Sequence, residues 1–230
     1  MQIDFHVHTS VHSACAIMEP EEVCQTALEC RLSGVVFTEH HATWPREELN
    51  RLEEKYPGIR LYGGVEWSLA EGYDILAISK APLPDLAPFS PLGEVIEHLT
   101  PIREQTVLIA AHPFRFTDFI DAGLDHVLRV CDAIESASGN IMRAGFIQSG
   151  NLFISTRGKL YAEASRLYDL TPLCNSDGHM TEALGTFANI YPDAPMGDQA
   201  WLVDLLRTVK PKPWQNPQRV RTYLQRKGYL

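Results

Sequence analysis

The chain has 230 residues, 45% of them hydrophobic, and a formal net charge of −9. That length can bury a core without disulfide staples and suits one domain, read here as 1–230. The acidic balance argues against a general binder of long nucleic acid, and no apolar run reaches the roughly 20 residues that a bilayer span needs.

In chain order, Ile3 to Val7 reads as a first strand. Pro20 opens a helix with Glu21 and Glu22 in its first turn, as the helix dipole favours. It runs to about Leu32, with Gly34 as its stop. Val35 to Thr38 is a second strand, and Pro45 begins a helix with charges at helical spacing. Leu61–Trp67 and Tyr73–Ser79 are strands, with Glu71-Gly72 as a hairpin turn. Four prolines make 80–91 a loop. A helix over 92–100, a strand over 106–111, a helix over 120–130 and a strand over 133–136 follow. Lys159–Tyr168 is helical, Pro172–Cys174 is a last short strand, and one or two helices fill 198–230. About seven strand–helix units imply a largely parallel sheet, closed into a barrel.

The N-terminus shows no basic segment followed by an apolar stretch, so a cytoplasmic location and no membrane contact are expected. Five cysteines, an odd number without a C-x-x-C pair, read as reduced thiols. Cys15 lies nearest the histidines. The basic group Arg219, Arg221, Arg226 and Lys227 reads as the solvated face of a helix. No feature bears on oligomeric state.

The ionisable residues fall at strand ends. His6 and His8 end the first strand, His40 the second, Glu66 the third, and His112 the strand over 106–111; Asp177 and His179 follow the last. In a β/α barrel the strand C-termini converge on one face, so these residues would meet. Histidines with carboxylates have the donor chemistry of a metal cluster. In Asp4-Phe5-His6-Val7-His8, residues two apart share a face, so His6 and His8 can bind one ion while Phe5 and Val7 turn away. Each motif alone has an ordinary structural reading; together they require several coincidences.

The ordered set Asp4-Phe5-His6-Val7-His8-Thr9, Thr38-Glu39-His40, Gly64-Val65-Glu66, Ala111-His112-Pro113 and Ser176-Asp177-Gly178-His179 resembles the PHP (polymerase and histidinol phosphatase) family. The resemblance implies a distorted, seven-stranded β/α barrel holding two or three divalent ions (Zn, Mn or Fe). His6, His8 and Asp177 would hold one, Glu66 would bridge to a second held by His112, and His40 and His179 would help hold a third. The sequence departs from the pattern in three places. Glu39 replaces an Asp. Ile78-Ser79-Lys80 stands where the family often has a histidine after the fourth strand. His12 is the residue on offer where the third site takes an Asp or His. The run Cys15–Glu22 resembles small stand-alone phosphoesterases of the family, not its polymerase domains.

The reaction so implied is metal-assisted hydrolysis of the phosphate ester of a small molecule, nucleotide or short oligonucleotide. Asp177, His179 and His40 would be at the chemistry, with Arg115 as a phosphate clamp. Arg143 and Arg157 are further clamp candidates, His41 is a candidate proton donor, and Trp44 and Trp67 are candidate stacking groups. Glu135 reads as an acceptor behind the ligands, with metal ligation as its alternative role. Two alternatives stand: an amidohydrolase-like enzyme cleaving a C–N bond, and a non-catalytic metal-binding module.

Overall fold

The first strand, β1 (Gln2–Val7), already carries the logic of the architecture. Ile3, Phe5 and Val7 are fully buried, and so are Asp4, His6 and His8. A strand buried on both faces belongs to the centre of a covered sheet. The computed structural model describes residues 1–230 and places β1 inside a nine-stranded, nearly closed, barrel-shaped sheet.

The elements follow β1 as α1 (Pro20–Glu29), β2 (Gly34–His40), α2 (Arg46–Lys55), β3 (Arg60–Ser68), β4 (Asp74–Ser79) and α3 (Leu92–Leu99). Next come β5 (Thr106–Ala111), α4 (Ala122–Val130), β6 (Ala133–Ala137), α5 (Gly139–Arg143), β7 (Phe146–Ser149) and β8 (Leu152–Ser155). The chain closes with α6 (Gly158–Leu167), β9 (Thr171–Cys174), β10 (Phe187–Ile190), α7 (Gln199–Thr208), β11 (Lys212–Gln215) and α8 (Pro217–Arg226). The sheet order is β11-β10-β1-β2-β3-β4-β5-β6-β9, and β7 and β8 form a separate hairpin. No helix is long and apolar enough to cross a membrane.

Two expectations change. The sheet has nine strands, not seven, because β10 and β11 add an edge beside β1 that no clear alternation announces. It is mixed rather than largely parallel, with four parallel and four antiparallel pairings. The antiparallel member that matters is β4. Only Leu69–Tyr73 separates it from β3, too little chain for a crossover, so it returns as a hairpin partner. Its first residue, Asp74, therefore lies at the end of the barrel where β3 and β5 finish.

The seam between β1 and β9 is closed by the turn after β9. Gly178 donates to the His6 carbonyl at 3.1 Å, and the His8 N–H donates to the Gly178 carbonyl at 2.9 Å. Asn189 completes it: its amide donates to the carbonyl of Cys174, and its oxygen accepts from the Cys174 N–H. Gly34 does not stop α1. That helix ends at Glu29, Arg31 takes the left-handed turn at φ 60°, and Gly34 opens β2, where a Cβ would come within 2.8 Å of Met196 Cε. Gly64 is tightly enclosed. A Cβ there would lie 3.0 Å from both the Ala77 carbonyl oxygen and Thr38 Cγ2. Gly64→Ala is expected to lower stability by about 1–3 kcal/mol, the usual range for overpacking, read as a fall in the thermal unfolding midpoint.

Candidate metal centre

Strand pairing brings the motifs together. His40 and Glu66 are register partners on β2 and β3, and Asp74 is opposite Ala111, the residue before His112. Glu66 is the hub. Its Oε2 lies 3.3 Å from His6 Nε2, 3.2 Å from His8 Nε2 and 3.1 Å from His40 Nδ1, and its Oε1 lies 3.2 Å from His112 Nε2. Asp177 answers from the other side. Its Oδ1 is 3.5 Å from His6 Nε2 and 3.3 Å from His179 Nδ1, and its Oδ2 is 3.6 Å from His112 Nε2. His6 and His8 share this site as their spacing required, while Phe5 and Val7 enter separate apolar clusters.

The imidazoles are aimed from behind. His6 Nδ1 is 3.1 Å from Glu135 Oε1, and the other Glu135 oxygen accepts the His112 N–H at 3.1 Å. His8 Nδ1 is 3.2 Å from Ser13 Oγ, which donates to Glu39. Glu39 also accepts from Thr9 and from Trp44 Nε1. A carboxylate behind an imidazole fixes its tautomer and presents the opposite nitrogen. Glu135 thus lies behind His6 and His112, and its carboxylate also falls within 4.8 Å of ligand atoms of His6, His112 and Asp177; Glu39 reaches His8 through Ser13.

Several buried atoms are left without any hydrogen bond: His6 Nε2, His8 Nε2, both oxygens of Glu66 and Oδ1 of Asp177. Buried polar atoms are ordinarily satisfied, and these converge on one point. Ligand atoms from His6, His8 and Glu66 lie within 4.8 Å of one another, as do those of Glu66, Asp74 and His112, and those of His8, His40 and His179. The donor set, imidazole nitrogens with carboxylate oxygens, fits divalent transition ions.

The electrostatics agree. Burial opposes charge on His6, but Asp177, Glu66 and Glu135 outweigh it and hold the imidazole well above its ordinary range. Burial likewise opposes Glu66 and Asp177, and the surrounding histidines hold both well below the carboxylate range. His112 is raised to about 9 against burial, chiefly by Glu66 and Asp177, and His179 to about 10 by Asp177 and Cys15. Burial, helped by the neighbouring His179 and His6 and only partly opposed by Glu66, takes His8 down to about 3. Two positions, His112 at φ 32° and Asp177 at φ 51°, are left-handed, a strain that persists where surrounding structure holds it.

These residues open onto a cavity of about 280 Å³ that Arg115, Arg143, Asn140, Cys15, Tyr223 and Lys227 also line. Some sequence expectations fail here. His12 is exposed, with its ring 5.0 Å from that of Trp44, and belongs to no ligand group. Arg157 does not line the cavity, and its Nη1 donates to the carbonyls of Phe114 and Arg115 at 2.6 and 2.8 Å. His41 Nε2 accepts the Ser68 N–H at 3.4 Å and holds a turn. Trp67 is core, and Trp44 serves Glu39. Ser79 lies at the end of β4 away from the centre, where it donates to the Gln105 carbonyl, and Asp74 at the other end stands at the site. Lys227, read as a solvated charge, lines the cavity.

No protein-family model matches the sequence, and no curated protein matches it either. Solved structures do. PsfC from Pseudomonas syringae aligns over 99% of this chain and 96% of its own at 19% identity, TM-score 0.70. A protein from Bifidobacterium adolescentis assigned to the metal-dependent phosphoesterases aligns over 97% and 96% at 16% identity, TM-score 0.57. An amidohydrolase from Chromobacterium violaceum, with bound sulfate, aligns over 94% and 98% at 15% identity, TM-score 0.59. A two-domain protein from Bacteroides vulgatus containing a PHP-like metal-dependent phosphoesterase aligns over 97% of this chain and 62% of its own at 16% identity, TM-score 0.53. Nine strands, strand-end histidines and these likenesses agree with the resemblance carried by the motifs: the chain has the fold of the PHP-like metal-dependent phosphoesterases.

Proposed function

We propose that this chain hydrolyses phosphate esters of a small molecule with the help of two or three divalent ions. The observation that carries this reading is the convergence of unsatisfied buried atoms from His6, His8, Glu66 and Asp177, beside an arginine, Arg115, that has no carboxylate partner and lines the same cavity. Bound ions would acidify water and offset phosphate charge. His6, His8, Glu66 and Asp177 would hold one ion, Glu66, Asp74 and His112 a second, and His40 with His179 would help hold a third. Glu135 and the Ser13–Glu39 pair keep the imidazoles aimed. Arg115 takes the non-bridging oxygens through its planar fork. A neutral amide would have no use for that guanidinium, which favours the ester over the C–N bond.

The test is to strip the protein with chelator, reload it with Zn, Mn or Fe(II), and assay phosphate monoesters, diesters and amides. Phosphate release restored by metal supports the reading. Amide hydrolysis without ester hydrolysis, or failure to bind any divalent ion, sinks it.

Loading should also depend on pH. His112 and His179 hold their protons up to about 9 and about 10 in the metal-free protein, and an ion must displace them. Affinity is therefore expected to rise with pH up to that range. Calorimetry near neutral pH in buffers of different ionisation enthalpy should show protons released on binding; none released would contradict the assignment of these two ligands.

Arg115→Ala is expected to raise KM and the inhibition constant of inorganic phosphate by about tenfold or more, with a smaller effect on kcat, because a contact made in ground and transition states alike is uniform binding. Arg115→Lys separates charge from geometry: partial recovery assigns the effect to charge, none to the bidentate fork. An unchanged phosphate inhibition constant would remove Arg115 from the phosphate site.

A further inference from the structure

The cavity has a second wall that the hydrolysis described above does not use. It is formed by α5 and the C-terminal end of α8, and it carries Arg143, Tyr223 and Lys227. Arg143 is held in place. Its Nη1 donates to Asn140 Oδ1 at 2.9 Å, its Nε donates to the Tyr229 hydroxyl at 3.4 Å, and its Cζ lies 6.0 Å from the centre of that ring. In a chain of net charge −9, neither Arg143 nor Lys227 is paired with an acid; every lysine and arginine ion pair is made by other residues. Unpaired cations gathered on one wall of a cavity are a site for an anion.

Charge balance sharpens this. Two divalent ions would offset Glu66, Asp74, Asp177 and Glu135. With Arg115, Arg143 and Lys227 added, the loaded cavity holds more positive charge than the about two negative charges of one phosphate monoester can neutralise. Asn140 then sets a distance. Its Nδ2 donates to Asp177 Oδ2 at 2.5 Å while its Oδ1 accepts from Arg143. One buried side chain therefore ties the metal-ligand cluster to the cationic wall at a fixed spacing.

We propose that Arg143 and Lys227 form a second anion subsite, and that the substrate is a small molecule with two anionic groups: a phosphate ester at the metal-ligand cluster and a second phosphate or carboxylate on this wall. The proposal rests on the phosphoesterase reading for the identity of the first group, and its test needs no turnover. The probes are non-hydrolysable: methylphosphonate, a series of α,ω-alkanediphosphonates of increasing length, and the matching phosphonocarboxylates. Binding to metal-loaded protein is measured by calorimetry. One length is expected to bind at least tenfold tighter than methylphosphonate, and Arg143→Ala/Lys227→Gln is expected to remove that gain. Whether the diphosphonate or the phosphonocarboxylate gains more identifies the second group. Both substituted side chains reach solvent, and circular dichroism of the variant checks its fold. If no length exceeds methylphosphonate, or the double variant keeps the gain, the subsite is wrong. If a spacing is preferred but no phosphate ester is ever hydrolysed, the subsite stands and the hydrolytic reading falls.

Discussion

Glu66→Gln is expected to reduce metal-dependent phosphate release by at least about a hundredfold, the upper end of what loss of a supporting partner gives at a metal site. Four imidazoles, those of His6, His8, His40 and His112, face its carboxylate. An amide has one acceptor instead of two and no charge, so it cannot bridge two ions. The decisive measurement is metal content: the variant should retain at least one equivalent less than the wild type. Removing one member of a buried charge cluster can itself destabilise by several kcal/mol, so the circular dichroism of the metal-free variant is compared with that of the metal-free parent. Full metal content with full activity would show that Glu66 is only a strand-end acceptor.

Asp177→Asn is expected to cost a comparable factor in turnover while the fold survives. Its backbone sits at φ 51°, and Asn is among the few residues that tolerate the left-handed region. The seam contacts of Gly178, next in the chain, are made by backbone groups and are untouched. What changes is the charge that faces His6, His112 and His179. Turnover that recovers fully at saturating metal would limit Asp177 to metal affinity; turnover that is unaffected at any metal concentration would remove it from the centre.

Much of the centre was legible because its signals are local. The H-x-H at residues 6 and 8 depends only on the two-residue period of a strand, and it holds in the structure although a register shift interrupts the β1–β2 pairing between Asp4 and Val7. The strand ends at His40, Glu66 and His112 were legible because helices or turn residues follow them. Glu135 was legible as a candidate because a short β-rich run carries it; it lies in the middle of β6. The hairpin β7–β8 and helix α5 were not legible. Both are short, and the hairpin buries only Phe153 and Ser155 fully, so its hydrophobic pattern is weak.

By itself, then, the sequence determined the alternation of strands and helices, the order of the motifs and the donor chemistry of the centre, since each is written in neighbours a few residues apart. Tertiary structure alone decided the rest. The direction of β4 brings Asp74, not Ser79, to the centre. The path of α8 turns Lys227 from a surface charge into part of the cavity wall. The carbonyls of Phe114 and Arg115 claim Arg157, and Trp44 takes the ring of His12. These outcomes depend on which strand pairs with which and on what packs against a helix end, and such choices are made between residues far apart in the chain, where no local period reaches.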